Sequence, residues 1–243
     1  MENLKDKTVL VTGSSRGIGK ACAISLAKKC GLIIVHYNKR KEDAENTCQQ
    51  IEKLGCKSML VQCDVSQSNE IDSLVDKIKN SGEKISILIN NAGMVVKKSL
   101  EEMDEKSWDI VMDANLKSSF LLTHAFIPFM RENKWGRIIN ISSHAAITGG
   151  STGPHYAASK AGMNGLTHYY AKILAGEGIT VNSIAPGVIE TDMITKDIGV
   201  SKPWAPVGRF GKSEEVASIV DMLVNNGYMT GQTLVLNGGI YMN

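Results

Sequence analysis

The stretch Thr8-Val9-Leu10-Val11-Thr12-Gly13-Ser14-Ser15-Arg16-Gly17-Ile18-Gly19 decides the fold. Its first half is a short β-branched apolar run, the form taken by a strand buried on both faces. Its second half places glycines at 13, 17 and 19 at the start of a segment with helical period. Such glycines permit a tight strand-to-helix turn and let backbone approach a pyrophosphate, with the free amides of the helix N-terminus facing anionic oxygens. A glycine-rich turn also serves as a mere tight connection, so the surrounding chain has to decide.

Outward from that stretch the same alternation recurs. Short β-branched runs at 8–12, 32–37, 58–62, 86–90, 137–141, 180–184 and 233–236 are separated by helical periods at about 17–29, 41–54, 67–80, 106–131, 156–175 and 213–225. Strands alternating with helices predict βαβ units, hence an α/β fold with a doubly wound, seven-stranded parallel sheet and helices on both faces. Ser66 and Ser213 stand where helix caps belong. The segment 191–210 has no period and holds Pro203 and Pro206, two of the five prolines, so it reads as a lid or binding loop.

At 243 residues, with 43% hydrophobic and 21% charged residues, the chain suits one globular domain and excludes disordered or fibrous classes. Lys+Arg 27 against Asp+Glu 25 leaves +2, too balanced for a nucleic-acid or anionic-membrane footprint. Five cysteines, an odd number without a C-x-x-C, suggest neither a disulfide framework nor a metal site. Lacking a signal-type apolar region or a membrane-length run, the sequence places the protein in the cytoplasm.

Three groups of residues point to chemistry. The second strand ends in His36-Tyr37-Asn38-Lys39-Arg40-Lys41, without the carboxylate that would accept from a ribose 2′-hydroxyl. Asn38, Lys39 and Arg40, with Arg16 from the glycine loop, suit a 2′-phosphate instead and predict NADP(H). Alternatively Lys39, Arg40 and Lys41 are only the solvated first turn of a helix, where cations would oppose its dipole. Tyr156 and Lys160, four apart on a predicted helix, share a face, so an ammonium could favour the phenolate, although this spacing is common on helix surfaces. Ser143, at the end of a predicted strand, can hydrogen-bond a carbonyl, while neighbouring Ser142 reads as a turn serine. Asn115 falls inside an apolar helical pattern, which a bound water or a bent helix would explain.

Together these residues resemble the short-chain dehydrogenase/reductase family. Thr12–Gly19 matches its T-G-x-x-x-G-x-G loop, Asn90-Asn91-Ala92-Gly93 its N-N-A-G, Asn115/Ser143/Tyr156/Lys160 its tetrad, and Pro186-Gly187 its motif after the sixth strand. The likeness runs from about Lys7 to Met242. It implies a single-domain Rossmann fold with a cofactor half at about 1–95, a catalytic half at about 96–243 and a lid at about 191–210. It also implies that Tyr156 is the general acid, that Lys160 lowers its pKa and holds the nicotinamide ribose, that Ser143 orients the carbonyl and that Asn115 holds a relay water. Gly13, Ser15, Arg16, Gly17, Ile18 and Gly19 would cradle the cofactor, Asp64 and Val65 would flank its adenine, and Asn91, Ala92, Gly93, Pro186, Gly187, Val188 and Thr191 would complete the site.

The segments 186–193, 207–217 and 230–242 carry the likeness to family members that reduce 3-oxoacyl thioesters on an acyl carrier protein in fatty-acid biosynthesis. A homotetramer is implied as well. Of two basic positions that engage the acidic carrier in those enzymes, one corresponds to Lys134 and the other to Glu177, a like charge toward such a partner. A sugar or small-alcohol dehydrogenase of the same family therefore stays open, and a non-catalytic dinucleotide sensor is the reading from another class. His144 and His155 flank Ser143 and Tyr156 and are candidates for pocket contact; Trp204 is the one tryptophan on the expected lid.

Overall fold

The apolar runs form β1 (Thr8–Val11), β2 (Leu32–Tyr37), β3 (Lys57–Gln62), β4 (Ile85–Asn90), β5 (Gly136–Ile141), β6 (Ile179–Pro186) and β7 (Thr233–Leu236). In this computed structural model, which describes residues 3–198 and 205–242 apart from the side chains of 195–197, they pair in the order β3-β2-β1-β4-β5-β6-β7. Every neighbouring pair is parallel. Every residue of β1, β4, β5 and β6 is buried, whereas the edge strands β3 and β7 are mostly intermediate. Central strands covered on both faces therefore carry the continuous apolar runs.

Alternate residues feed two cores. Val9 and Val11 pack in one layer with Leu26 of α1 (Gly17–Ala27), Ile51 of α2 (Lys41–Lys53) and Val220 of α8 (Ser213–Asn225). Leu10 packs in the other with Ile71 of α3 (Ser68–Asn80), Phe126 of α5 (Ser118–Glu132) and Leu174 of α7 (Pro154–Leu174). Helices thus cover both faces of the sheet, as a doubly wound Rossmann architecture requires. The strand order reverses between β1 and β4, which opens a crevice at their carboxyl ends.

Local structure departs from the sequence reading in three places. The helix expected over 106–131 is interrupted: α4 (Glu105–Met112) passes through a π-helical turn at Asp113–Lys117 before α5 begins. Neither expected serine cap is used. Ser66 donates its hydroxyl to Asp64 Oδ1 at 2.8 Å, so α3 starts two residues later, and Ser213 is the first residue of α8 rather than its cap. Glu215 Oε2 instead accepts from the Lys212 N–H at 2.8 Å, and Asp104 caps α4 by accepting from the Ser107 N–H at 2.7 Å. The aperiodic segment holds a π-helical turn at Met193–Ile198, preceded by an isolated parallel bridge between Ile189 and Gly211. Lys202, Pro203 and Trp204 lie outside the described residues.

Candidate active site

The crevice is a cleft of about 1200 Å³ running along the carboxyl ends of the strands. Its floor at one end is the glycine loop, which hydrogen bonds lock in place. Thr12 Oγ1 accepts from the N–H groups of Asn91 and Ala92 at 2.9 and 2.8 Å, and Asn91 Nδ2 donates to the Thr12 carbonyl at 2.8 Å. Gly13 sits at φ +64°, where a side chain is strained. A Cβ on Gly19 would lie 2.4 Å from the Gly13 carbonyl oxygen, so α1 can approach the loop only as glycine. No side chain caps α1, and its first residues Gly17 and Ile18 line the cleft. This cradle fits a dinucleotide pyrophosphate.

His36 braces the same loop, a role the sequence reading misses. Its Nδ1 accepts from the Gly13 N–H at 2.9 Å, which places the ring proton on Nε2, 2.9 Å from the Cys63 carbonyl it donates to. Burial pushes the imidazole down to about 4, so it stays neutral. The visible signal is an imidazole inside an otherwise apolar buried strand, but its partner Gly13 lies on another element.

Beside Ser15, Arg16, Gly17 and Ile18 the structure brings together Asn38, Lys39, Arg40, Asp64 and Val65 along the cleft. Arg16 Nη1 is in close ionic contact with Asp192 Oδ2, and Arg40 Nη2 lies 3.7 Å from the same oxygen. Lys41 turns to Glu45 at 3.6 Å and is not among the residues lining the cleft.

Ser143, Tyr156 and Lys160 line the same cleft, as do Asn91, Ala92, Gly93, Pro186, Gly187, Val188 and Thr191. The arrival of Tyr156 and Lys160 on one face follows from their spacing on α7. Burial raises the Tyr156 phenol above its ordinary value, while the Ser143 hydroxyl beside it favours the anion. Lys160 is brought down to about 8 by burial. Its Nζ donates to the Ile141 carbonyl at 2.8 Å and stands 5.9 Å from the centre of the Tyr156 ring, over the ring.

Asn115 and Gly19 do not line the cleft. The π-helical turn faces the Asn115 amide inward, where Oδ1 accepts from the Met94 N–H at 2.8 Å and Nδ2 donates to the Met94 carbonyl at 3.1 Å and to Ser159 Oγ at 3.0 Å. The π-helical turn and these three hydrogen bonds accommodate the inward amide. The loop after β4 is thereby pinned to α7. Of the two flanking histidines, His144 lines the cleft, whereas His155 is fully buried and accepts the Tyr156 N–H at 2.8 Å through Nδ1. Ser142 is structural and donates to the Lys160 carbonyl at 2.9 Å. Glu177 is bridged by Arg131 at 2.6 and 2.9 Å, so the negative charge noted in the sequence is locally balanced.

Among the described residues no group of three or more His, Cys, Asp or Glu side chains could hold a metal ion, and no helix is long and apolar enough to cross a membrane. The profile of the short chain dehydrogenase family matches residues 7–198. A 3-oxoacyl-[acyl-carrier-protein] reductase of Synechocystis sp. is 38% identical over 247 residues, covering 100% of both chains. The corresponding reductase of Staphylococcus aureus is 37% identical, covering 97% of this chain and 98% of its own. Among solved structures, a proposed gluconate dehydrogenase of Agrobacterium tumefaciens superposes with a TM-score of 0.91 at 31% identity, covering 98% of this chain and 97% of its own.

Proposed function

The chain belongs to the short-chain dehydrogenase family, and from that premise we propose that it is an NADP(H)-dependent reductase of 3-oxoacyl thioesters. The observation that carries this reading is one continuous cleft. It joins an uncapped helix N-terminus and two guanidinium groups at one end to Ser143, Tyr156 and Lys160 at the other. Two full-length relatives whose names specify that activity support the substrate class.

A nicotinamide dinucleotide bound there supplies the hydride. The first-turn N–H groups of α1 would hold its diphosphate oxygens, and Arg16, Lys39 and Arg40 would hold the 2′-phosphate by charge-assisted hydrogen bonds. Ser143 Oγ donates to the ketone oxygen and fixes it beside the Tyr156 hydroxyl. As that oxygen gains negative charge, Tyr156 transfers its phenolic proton to it, leaving an alcohol and a tyrosinate. Lys160 in its ammonium form stabilises the tyrosinate until solvent reprotonates it. Met94 and α7 hold their relative position through the Asn115 amide. Family likeness supports a cytoplasmic homotetramer acting on acyl groups, with an acyl carrier protein as the partner.

Steady-state turnover of acetoacetyl thioester with NADPH, set against oxidation of hydroxy acids and sugar alcohols with NADP+, tests the reaction. Likeness to the Agrobacterium protein makes the oxidative arm the second reading. The Tyr156→Phe variant is expected to lose about 10²-fold to 10⁴-fold in kcat while still binding NADPH. A phenylalanine variant that turns over at the native rate overturns the assignment of the proton donor.

A further inference from the structure

Asp192 stands where the proposed cofactor phosphate has to go. Arg16 reaches it from the glycine loop after β1, and Arg40, which also donates to Asp43 at 3.2 Å, stands 3.7 Å from the same oxygen, Oδ2, from the turn after β2. Two cations sharing one carboxylate oxygen reproduce the environment that a phosphate oxygen would find between them. The carboxylate belongs to the segment 189–194, which lines the cleft. Thr191 rests on the glycine loop, its Cγ2 3.3 Å from where a Cβ on Gly17 would be. Farther along, Lys97 Nζ donates to the Ile198 carbonyl at 3.2 Å.

We infer that Asp192 is an internal stand-in for the 2′-phosphate, a latch that holds this segment over the glycine loop until a phosphorylated cofactor displaces it. The inference rests on the reading of Arg16 and Arg40 as the 2′-phosphate's partners. A phosphate monoester carries more charge than a carboxylate and has three acceptor oxygens, so it wins both guanidinium groups and repels the displaced Asp192. A ribose 2′-hydroxyl carries no charge and leaves the pair closed. Asp192 thereby sets the strength of phosphate binding and couples it to the position of the segment over the cleft.

The test compares adenosine 2′,5′-bisphosphate with 5′-AMP by calorimetry on the native protein and on Asp192→Asn. The variant should bind the bisphosphate about threefold to tenfold more tightly, the weight of one or two partly exposed ion pairs, with 5′-AMP unchanged. In the native protein the bisphosphate, unlike 5′-AMP, should raise amide hydrogen exchange at 189–194. Equal or weaker bisphosphate binding by the variant overturns the latch, because Asp192 then orients the arginines for phosphate. The latch falls equally if exchange in the native protein responds alike to both nucleotides. Native protein that binds the two nucleotides with one affinity removes the NADP(H) reading itself, and the latch with it.

Discussion

His36 joins the ends of three strands only while it is neutral, because a proton on Nδ1 would face the Gly13 N–H. Its folded value of about 4 lies below the ordinary 6.5. Between these limits the unfolded chain binds a proton that the folded one does not, so this contribution is complete above pH 6.5 and is lost as pH falls toward 4. At pH 4.5 the loss is about 2–3 kcal/mol relative to neutral pH. Asparagine offers an acceptor for Gly13 without a titration in this range. Urea unfolding of native protein and His36→Asn at both pH values should show the native protein losing that much more; parallel pH dependences would refute it. Tyr156, Lys160 and the glycines are legible in the sequence because their chemistry demands particular residue types at local spacings. His36 and Asp192 are not, since their meaning lies in Gly13 and Arg16, 23 and 176 residues away in the chain.

The interruption between α4 and α5 shows why an element can be legible in kind and not in detail. Apolar period marks a helix across 106–131, but one residue too many in a turn shifts the period by less than a pattern reading resolves. What selects the π-helical turn is tertiary: the Asn115 amide satisfies both backbone groups of Met94 and reaches Ser159 on α7. Ser159 in turn donates to the Tyr156 carbonyl at 2.8 Å, so the turn is tied to the helix that carries the proposed proton donor. Removing the amide with Asn115→Ala leaves buried donors and acceptors unpaired and should cost about 2 kcal/mol or more. Amide exchange at Met94 should rise and kcat should fall together with that loss. If stability and Met94 protection are unchanged while turnover collapses, Asn115 acts on the reaction directly rather than by positioning. The unused serine caps have the same origin, because Asp64 engages the Ser66 hydroxyl and α8 begins one residue early, with Lys212 at its cap and the Lys212 N–H held by Glu215.

For the whole molecule, sheet order and layering follow from the alternation of strand and helix periods, and the crevice follows from the order. Outer surfaces are less legible, since a helix that meets another chain has the same apolar period as one that meets its own sheet. Trp108 and Ile110 on α4, Phe120 on α5, and Tyr169 and Ile173 on α7 are between 37% and 63% exposed, although their helices also contribute to the buried layers. We propose that the large apolar side chains left outside on these helices form the interface between subunits. In the proposed homotetramer these faces pair, which would link assembly to the site, because α7 carries Tyr156 and Lys160 and the turn joining α4 to α5 carries Asn115. Sedimentation velocity at micromolar concentration should therefore give a tetramer for the native protein and a smaller species for the double variant Phe120→Glu, Tyr169→Glu. Thermal unfolding of the native protein should then shift upward with concentration, as expected when folding and assembly are linked. A native protein that sediments as a monomer, with a Tm independent of concentration, would mean that these side chains are simply exposed.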